Sequence, residues 1–480
     1  MYQKDPPNEQ NGVVYQISDE LKLLREQLEL FEISPDVSQK KFTYHDDDWD
    51  YAQADTKTET HCFHPYPAMM IPQVARRLIK MYAQKGDIVF DPFCGSGTVL
   101  VEAQMAGLNS YGIDINPLAL LIARAKTTPL DMAILRQWAI SLLHSYLEDC
   151  CRIESDPNYA PIPDFFNIDY WFKPSVSREL SALRSRLFTI DDIAVREFFL
   201  VAFSETVREA SYTRNNEFKL FRLPKDELKQ YNPNVGEIFF RKVYRNLNGM
   251  KEYLRKMGER DSRSFGDFGY VDKNVWVKIL SEDTREKTTI PENSVNLVVT
   301  SPPYGDSKTT VAYGQFSRLS LQWLGLPYEE ARDIDNRSLG GRRLTNLDAV
   351  SNILTLQRAL EQIAAKDYKR ALEVGSFYHD FSLCFREIAR VCALGAKACF
   401  VVGNRTVKGV RIPTDRILVE LGEQLGFVHI DTFHRNIPNK RMPSKNSPSN
   451  VKGELGSTMT KEYIIVLEKV KEFIKNDDVN

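Results

Sequence analysis

Between Lys85 and Gly107 the chain runs from strand to tight glycine turn to helix without a spare residue, and this succession restricts the fold more than any other stretch. Lys85-Gly86-Asp87-Ile88-Val89-Phe90-Asp91 reads as a short buried strand. Pro92-Phe93-Cys94-Gly95-Ser96-Gly97-Thr98 is the turn after it, and Val99 to Ala106 reads as an amphipathic helix closed by Gly107. A strand that passes into a helix through Gly-x-Gly brings main chain close to a ligand at the carboxyl end of the first strand of a doubly wound α/β sheet. Ser110-Tyr111-Gly112-Ile113-Asp114-Ile115-Asn116-Pro117 is a second strand ending on an acid. Asp114 has the spacing expected of a carboxylate that grips ribose hydroxyls, although an Asp at a strand end also suits the N-cap of the next helix. The glycine spacing is neither Gly-x-Gly-x-x-Gly nor Gly-Lys-Ser/Thr, so neither a dinucleotide nor a P-loop phosphate site is indicated.

At 480 residues the chain is too long for one simple core. With 42% hydrophobic and 27% charged residues it reads as globular, and no apolar run reaches the length of a membrane span. Met1 to Asn11 has no signal-peptide character. Seven scattered cysteines give no disulfide framework and suit a reducing cytoplasm. A net charge of −2 exerts no global pull on nucleic acid, so any such contact needs locally concentrated positive charge. His61, Cys62 and His64 lie close together, but no second ligand pair follows at metal spacing, and no metal is expected.

The apolar run Val295-Asn296-Leu297-Val298-Val299 ends in Thr300-Ser301-Pro302-Pro303-Tyr304. Two prolines remove two backbone donors and leave carbonyls that only accept. Beside them stand the Ser301 hydroxyl and the Tyr304 ring. Such a set is suited to holding a planar exocyclic amino group by its hydrogens while the ring that bears it stacks on the tyrosine.

Taken together, the Asp91–Thr98 turn, Asp114 and Ser301–Tyr304 resemble the amino-group DNA methyltransferases that use S-adenosylmethionine, and Ser in first place resembles their N4-cytosine branch. The resemblance implies a Rossmann-like, seven-stranded methyltransferase sheet carrying a large helical insertion. It implies that Asp91 and the turn Gly95, Ser96 and Gly97 hold the methionine portion, that Asp114 lies at the ribose, and that Phe93, Thr98 and Ile115 also bind the cofactor. Asp283, at the end of the strand Val275–Asp283, would lie beside the adenine. Pro67, Ala68 and Met69 match a family segment that closes over the methionine end, though two prolines opening the Gln73–Ala83 helix is the plainer reading. Ser301, Pro302, Pro303 and Tyr304 would form the catalytic edge.

The order of parts suggests an N-terminal extension at 1–60, a first catalytic segment at 61–125, a mostly helical insertion at 126–268 as a DNA-recognition lobe, and a second catalytic segment at 269–480. Helices are expected at Met132–Cys150, Ser177–Phe188, Ile193–Ala210, Gly236–Met257, Leu354–Ala365 and Phe377–Ala389. A strand is expected at Ala398–Asn404, with Phe427–Phe433 and Glu462–Leu467 as an antiparallel finish. Candidate contacts to double-stranded DNA are Arg214 and Lys219 in the insertion, Lys308 after the motif, Arg337, Arg342 and Arg343 in a glycine-rich loop, and Arg435, Lys440, Arg441 and Lys445 in a stretch without acids. A solvated charged face is the simpler alternative for each.

The implied chemistry is direct transfer to N4 of a flipped-out cytosine, with no covalent enzyme intermediate. No Pro-Cys dipeptide is present to serve a carbon-5 mechanism. Adenine N6 and the guanine N2 of tRNA are the rival targets. A restriction-modification setting would add a cognate endonuclease as partner and a prokaryotic, nucleoid-associated cytoplasmic location.

Overall fold

The computed structural model describes residues 44–45, 49–156, 159–214, 217–259, 275–306, 310–437, 445–446, 456–457 and 461–472. Its main sheet contains β1 (Tyr44–His45), β2 (Ile88–Asp91), β3 (Asn109–Ile113), β4 (Val277–Leu280), β5 (Val295–Thr300), β6 (Cys392–Val402), β9 (Phe427–Asn436) and β12 (Lys461–Lys469). A side hairpin pairs β7 (Arg405–Val407) with β8 (Val410–Ile412), and β10 (Lys445–Asn446) pairs with β11 (Gly456–Ser457). Across the main sheet the order is β4-β3-β2-β5-β6-β12-β9, with the two-residue β1 beyond β9. That is the expected seven-stranded arrangement plus one short edge strand.

From β4 to β6 all pairs are parallel, and β12 enters antiparallel between β6 and β9. Parallel strands are covered on both faces, which is why β2 and β5 read as nearly continuous apolar runs. The chain winds outward from β2 to β3 and β4, then returns to β5 on the other side of β2. This reversal opens a crevice at the carboxyl ends of β2 and β5, the place where doubly wound sheets bind ligands. Registry sets its floor: Phe90 pairs with Val298, so Asp91 and Thr300 arrive close to one level.

The expected helices are present, Ile193–Ala210 with the same bounds and the others with shifted ends, by nine residues at the start of Tyr368–Val391. Helices open at Pro72 and Pro174 because proline's fixed φ and missing N–H suit the first helical position. The Tyr368–Val391 helix starts nine residues before Phe377 because Asp367 caps it, accepting from Arg370 N at 3.0 Å. β6 also begins at Cys392, six residues before Ala398.

One apolar cluster joins the Pro117–Thr127 helix (Leu118, Ile122) to the helices of the 132–259 region (Phe198, Phe199, Phe239, Tyr253) and to Phe316 and Trp323. A second joins Val89, Leu297, Val401 and Ile464 of one sheet face to Val74 and Leu78 of the Pro72–Tyr82 helix, while on the opposite face Phe400 packs on Phe381 and Phe385 of the Tyr368–Val391 helix. The crevice is thus braced from both faces. Among the described residues no helix is long and apolar enough to cross a membrane.

Candidate active site

The crevice is a cleft whose mouth is open to solvent. Pro67, Ala68 and Met69 line it, as do Asp91, Phe93, Gly95, Ser96, Thr98, Asp114, Ile115 and Asp283, together with Ser301 and Pro303 of the motif. The structure therefore brings most of the sequence-selected cofactor residues and part of the motif to one cavity, whose lining does not include Gly97, Pro302 or Tyr304. Ala68 holds φ +51°, a left-handed conformation that a non-glycine residue adopts only where its surroundings enforce it.

Gly97 also has a packing job. Its φ is +79°, and a Cβ there would stand 2.9 Å from Ala123 Cβ. The glycine allows the Pro117–Thr127 helix to pack against the turn.

Asp91, Asp114, Glu282 and Asp283 line the cleft, with Arg285 and Arg337 among them. Asp91 is 4% exposed, and its Oδ1 accepts from Thr300 Oγ1 at 2.7 Å and from Phe93 N at 3.2 Å. Burial outweighs both bonds and pushes its carboxyl up to about 7. Asp114 accepts from Asn116 N at 2.8 Å and Gly95 N at 3.0 Å, and burial raises it to about 6. The N-cap of the next helix is Asn116, whose Oδ1 accepts from Leu118 N. Asp114 is thereby released from capping and faces the glycine turn and the cleft. Burial would also raise Asp283, but the Arg285 guanidinium outweighs it, with Nε 2.9 Å from Oδ1, and holds the carboxyl below its ordinary range.

At the motif, Ser301 Oγ donates to Tyr304 Oη at 3.5 Å, and Tyr304 Oη donates to Glu462 Oε1 at 2.9 Å. Arg435 Nη1 holds the other Glu462 oxygen at 2.6 Å. Burial, followed by the Glu462 charge, lifts the Tyr304 phenol well above its ordinary value, so it stays a neutral donor. The chain Ser301–Tyr304–Glu462–Arg435 ties the motif to β12 and β9.

Sequence comparisons agree with this geometry. The DNA methylase family profile, which spans N6 and N4 enzymes, matches residues 1–124. The type II methyltransferase M.MvaI of Kocuria varians is 42% identical over 432 residues, covering 87% of this chain and 93% of that protein. The chain belongs to the type II DNA methyltransferases of the N4/N6 amino-methyltransferase family. M.BsoBI of Geobacillus stearothermophilus, also a type II methyltransferase, is 22% identical over 496 residues, covering 94% of this chain and 92% of that one. The tRNA (guanine(10)-N2)-dimethyltransferase of Methanocaldococcus jannaschii is similar over only 52 residues, at 44% identity, covering 11% of this chain and 15% of that protein. As a family member the methyltransferase takes its methyl group from S-adenosylmethionine. The cleft fits that cofactor chemically, since buried carboxylates suit a ligand with sulfonium and ammonium charges and ribose hydroxyls.

Several residues of the methyltransferase's cleft carry no motif signal. Asn116 Nδ2 donates to Tyr66 Oη at 3.0 Å and to Ser317 Oγ at 2.7 Å, and Tyr66 stacks on Tyr313 with centroids 5.8 Å apart. Arg285 reaches Asp380 Oδ2 at 3.1 Å and the Arg337 carbonyl at 2.7 Å, while Asp380 accepts from Gly340 N. Of these, only the Asn-Pro pair at 116–117 carries a local signal, that of a helix start.

The basic candidates separate. Arg337, Arg342 and Arg343 are exposed, and Arg337 also lines the cleft. Arg214 is exposed and 3.5 Å from Glu217, and Lys219 is half-buried. Arg435 is corrected: it is 7% exposed, paired with Glu462, and its Nε donates to the Trp49 carbonyl, so no phosphate can reach it. Lys308, Lys440 and Arg441 lie outside the described residues, and for Lys445 only the strand pairing with Ser457 is described. His61 contacts Glu102 Oε1 at 2.9 Å, His64 Nδ1 donates to the Pro65 carbonyl, and Cys62 Sγ donates to the Glu59 carbonyl. Among the described residues no cluster of three His, Cys, Asp or Glu could hold a metal ion.

Proposed function

We propose that the enzyme methylates the exocyclic N4 of a cytosine flipped out of duplex DNA. The observation that carries this reading is Ser301 Oγ lining the cofactor cleft beside Pro303 and bonded to Tyr304. In bound form the cofactor supplies an electrophilic methyl on a sulfonium. Ser301 Oγ and the Pro302 carbonyl accept the two amino hydrogens, which favours a pyramidal nitrogen and returns its lone pair from the ring. The Tyr304 ring, anchored through its hydroxyl to Glu462, stacks on the base. Positioning and electrostatics then supply most of the acceleration. Asp91, Phe93, Gly95, Ser96 and Thr98 hold the methionine portion in this reading, with Pro67–Met69 over it, Asp114 and Ile115 at the ribose and Asp283 toward the adenine.

A neutral hydroxyl in first place, where a carboxylate would otherwise stand, favours cytosine over adenine by family resemblance. We assign phosphate contacts to Arg337, Arg342, Arg343 and Arg214, and target recognition to the helical lobe at 126–268. A cognate endonuclease and a cytoplasmic, nucleoid-associated setting belong to the same reading. The test is transfer of labelled methyl from S-adenosylmethionine to duplex DNA and, separately, to tRNA, with the Ser301→Ala variant as control. Label in DNA that disappears in Ser301→Ala supports the reading; label confined to tRNA overturns it.

A further inference from the structure

Lys126, in the Pro117–Thr127 helix, is 1% exposed and has no acidic partner among the described residues. Its Nζ lies 3.3 Å from Ser96 Oγ, and Ser96 lines the cleft. Burial brings its pKa down to about 8, with Cys62 opposing that shift and the Arg245 charge reinforcing it. Glu102, the buried acid of the adjacent helix, is taken by Arg76 and His61. A buried ammonium without an anion destabilises a fold, so such a group needs a counter-charge from elsewhere.

The geometry supplies a place for one. An ammonium can only donate, so Nζ–H must point at the Ser96 oxygen, and the hydroxyl's own proton is then turned away from the lysine. The Thr98–Met105 helix opens beside Ser96 with no side-chain cap, adding the positive end of its dipole to the same corner. The rest of the cleft, by contrast, carries Asp91, Asp114, Glu282 and Asp283, with Arg285 paired to Asp283.

We propose that Lys126 is a positioning residue for the carboxylate of the cofactor's amino-acid portion, acting through the Ser96 hydroxyl. The carboxylate accepts from Ser96 O–H, and Lys126 fixes that hydroxyl's orientation while balancing the charge from behind the wall. The proposal rests on the reading that this cleft holds S-adenosylmethionine by the Asp91–Thr98 turn.

The test is calorimetric titration of the full chain with two thioethers: S-adenosylhomocysteine, and 5′-methylthioadenosine, which lacks the amino-acid portion. Lys126→Met should weaken S-adenosylhomocysteine by about tenfold or more, as expected on losing a charge-assisted contact, and leave methylthioadenosine within about twofold. Ser96→Ala, a smaller change that spares the helix, should show the same selectivity, and the double variant should lose little more than the worse single. Equal loss for both ligands, or no loss for either, overturns the proposal and leaves Lys126 a structural post. S-adenosylhomocysteine affinity that is indifferent to Asp114→Ala sinks the site reading itself, and the proposal with it.

Discussion

Asp91→Asn replaces one oxygen in the buried floor of the cleft and should raise the stability of the unliganded protein at alkaline pH. The Asp91 carboxyl is pushed from 3.8 up to about 7 by burial, against the bonds from Thr300 and Phe93 N. The native state therefore binds this proton more tightly than the unfolded chain does. Stability from this group is greatest below the unfolded value, falls as pH rises toward 7, and is level above it. Roughly three pH units at ~1.4 kcal/mol each bound the cost of the buried charge at about 4 kcal/mol. Asparagine keeps an oxygen for Thr300 Oγ1 and Phe93 N and never ionises. For a chain of this length the melting entropy is on the order of 1 kcal/mol per degree, so the variant should gain up to about 4 °C at pH 8 if it melts as one unit, and nothing near pH 4. Scanning fluorimetry of both proteins from pH 4 to 9, with and without S-adenosylmethionine, reads this directly. The cofactor's cationic groups should stabilise the wild type at pH 8 far more than the variant. A variant less stable than wild type at pH 8, or a difference that does not change with pH, would refute the reasoning from burial.

Tyr304→Phe removes the hydroxyl that joins Ser301 to Glu462; single-turnover methylation should fall by about tenfold or more while calorimetric affinity for cofactor is unchanged. Gly97→Ala sets a Cβ 2.9 Å from Ala123 Cβ at φ +79°, and should cost about 2 kcal/mol in thermal or denaturant unfolding even without ligand. Arg342→Ala with Arg343→Ala should weaken DNA binding for every duplex sequence and flatten its salt dependence by about two counterions, measured by fluorescence anisotropy, with cofactor affinity unaffected.

How much of the molecule is legible in its sequence depends on distance along the chain. The Lys85–Gly107 unit and the Ser301–Tyr304 motif carry their meaning within a few residues, and the doubly wound sheet follows from strand endings and connection order. Asp114 is ambiguous in sequence for a local reason: capping and ligand binding ask for the same residue, and only Asn116's bond to Leu118 N decides between them. Gly97 stands out in its turn, but the neighbour that requires it does not, because a turn sequence does not say which helix will lie against it. Arg435 looks unpaired in sequence because its partner is 27 residues away, directly opposite it once β12 pairs with β9. The Arg285 clamp and the Lys126–Ser96 contact likewise join segments that no local pattern relates.

The identity of the product tests the central claim most directly. Duplex DNA methylated to completion by the purified enzyme should be digested to nucleosides and resolved by mass spectrometry against authentic standards. N4-methylcytosine is the new nucleoside expected, and it should be absent after treatment with Ser301→Ala. N6-methyladenine as the sole product would contradict the assignment.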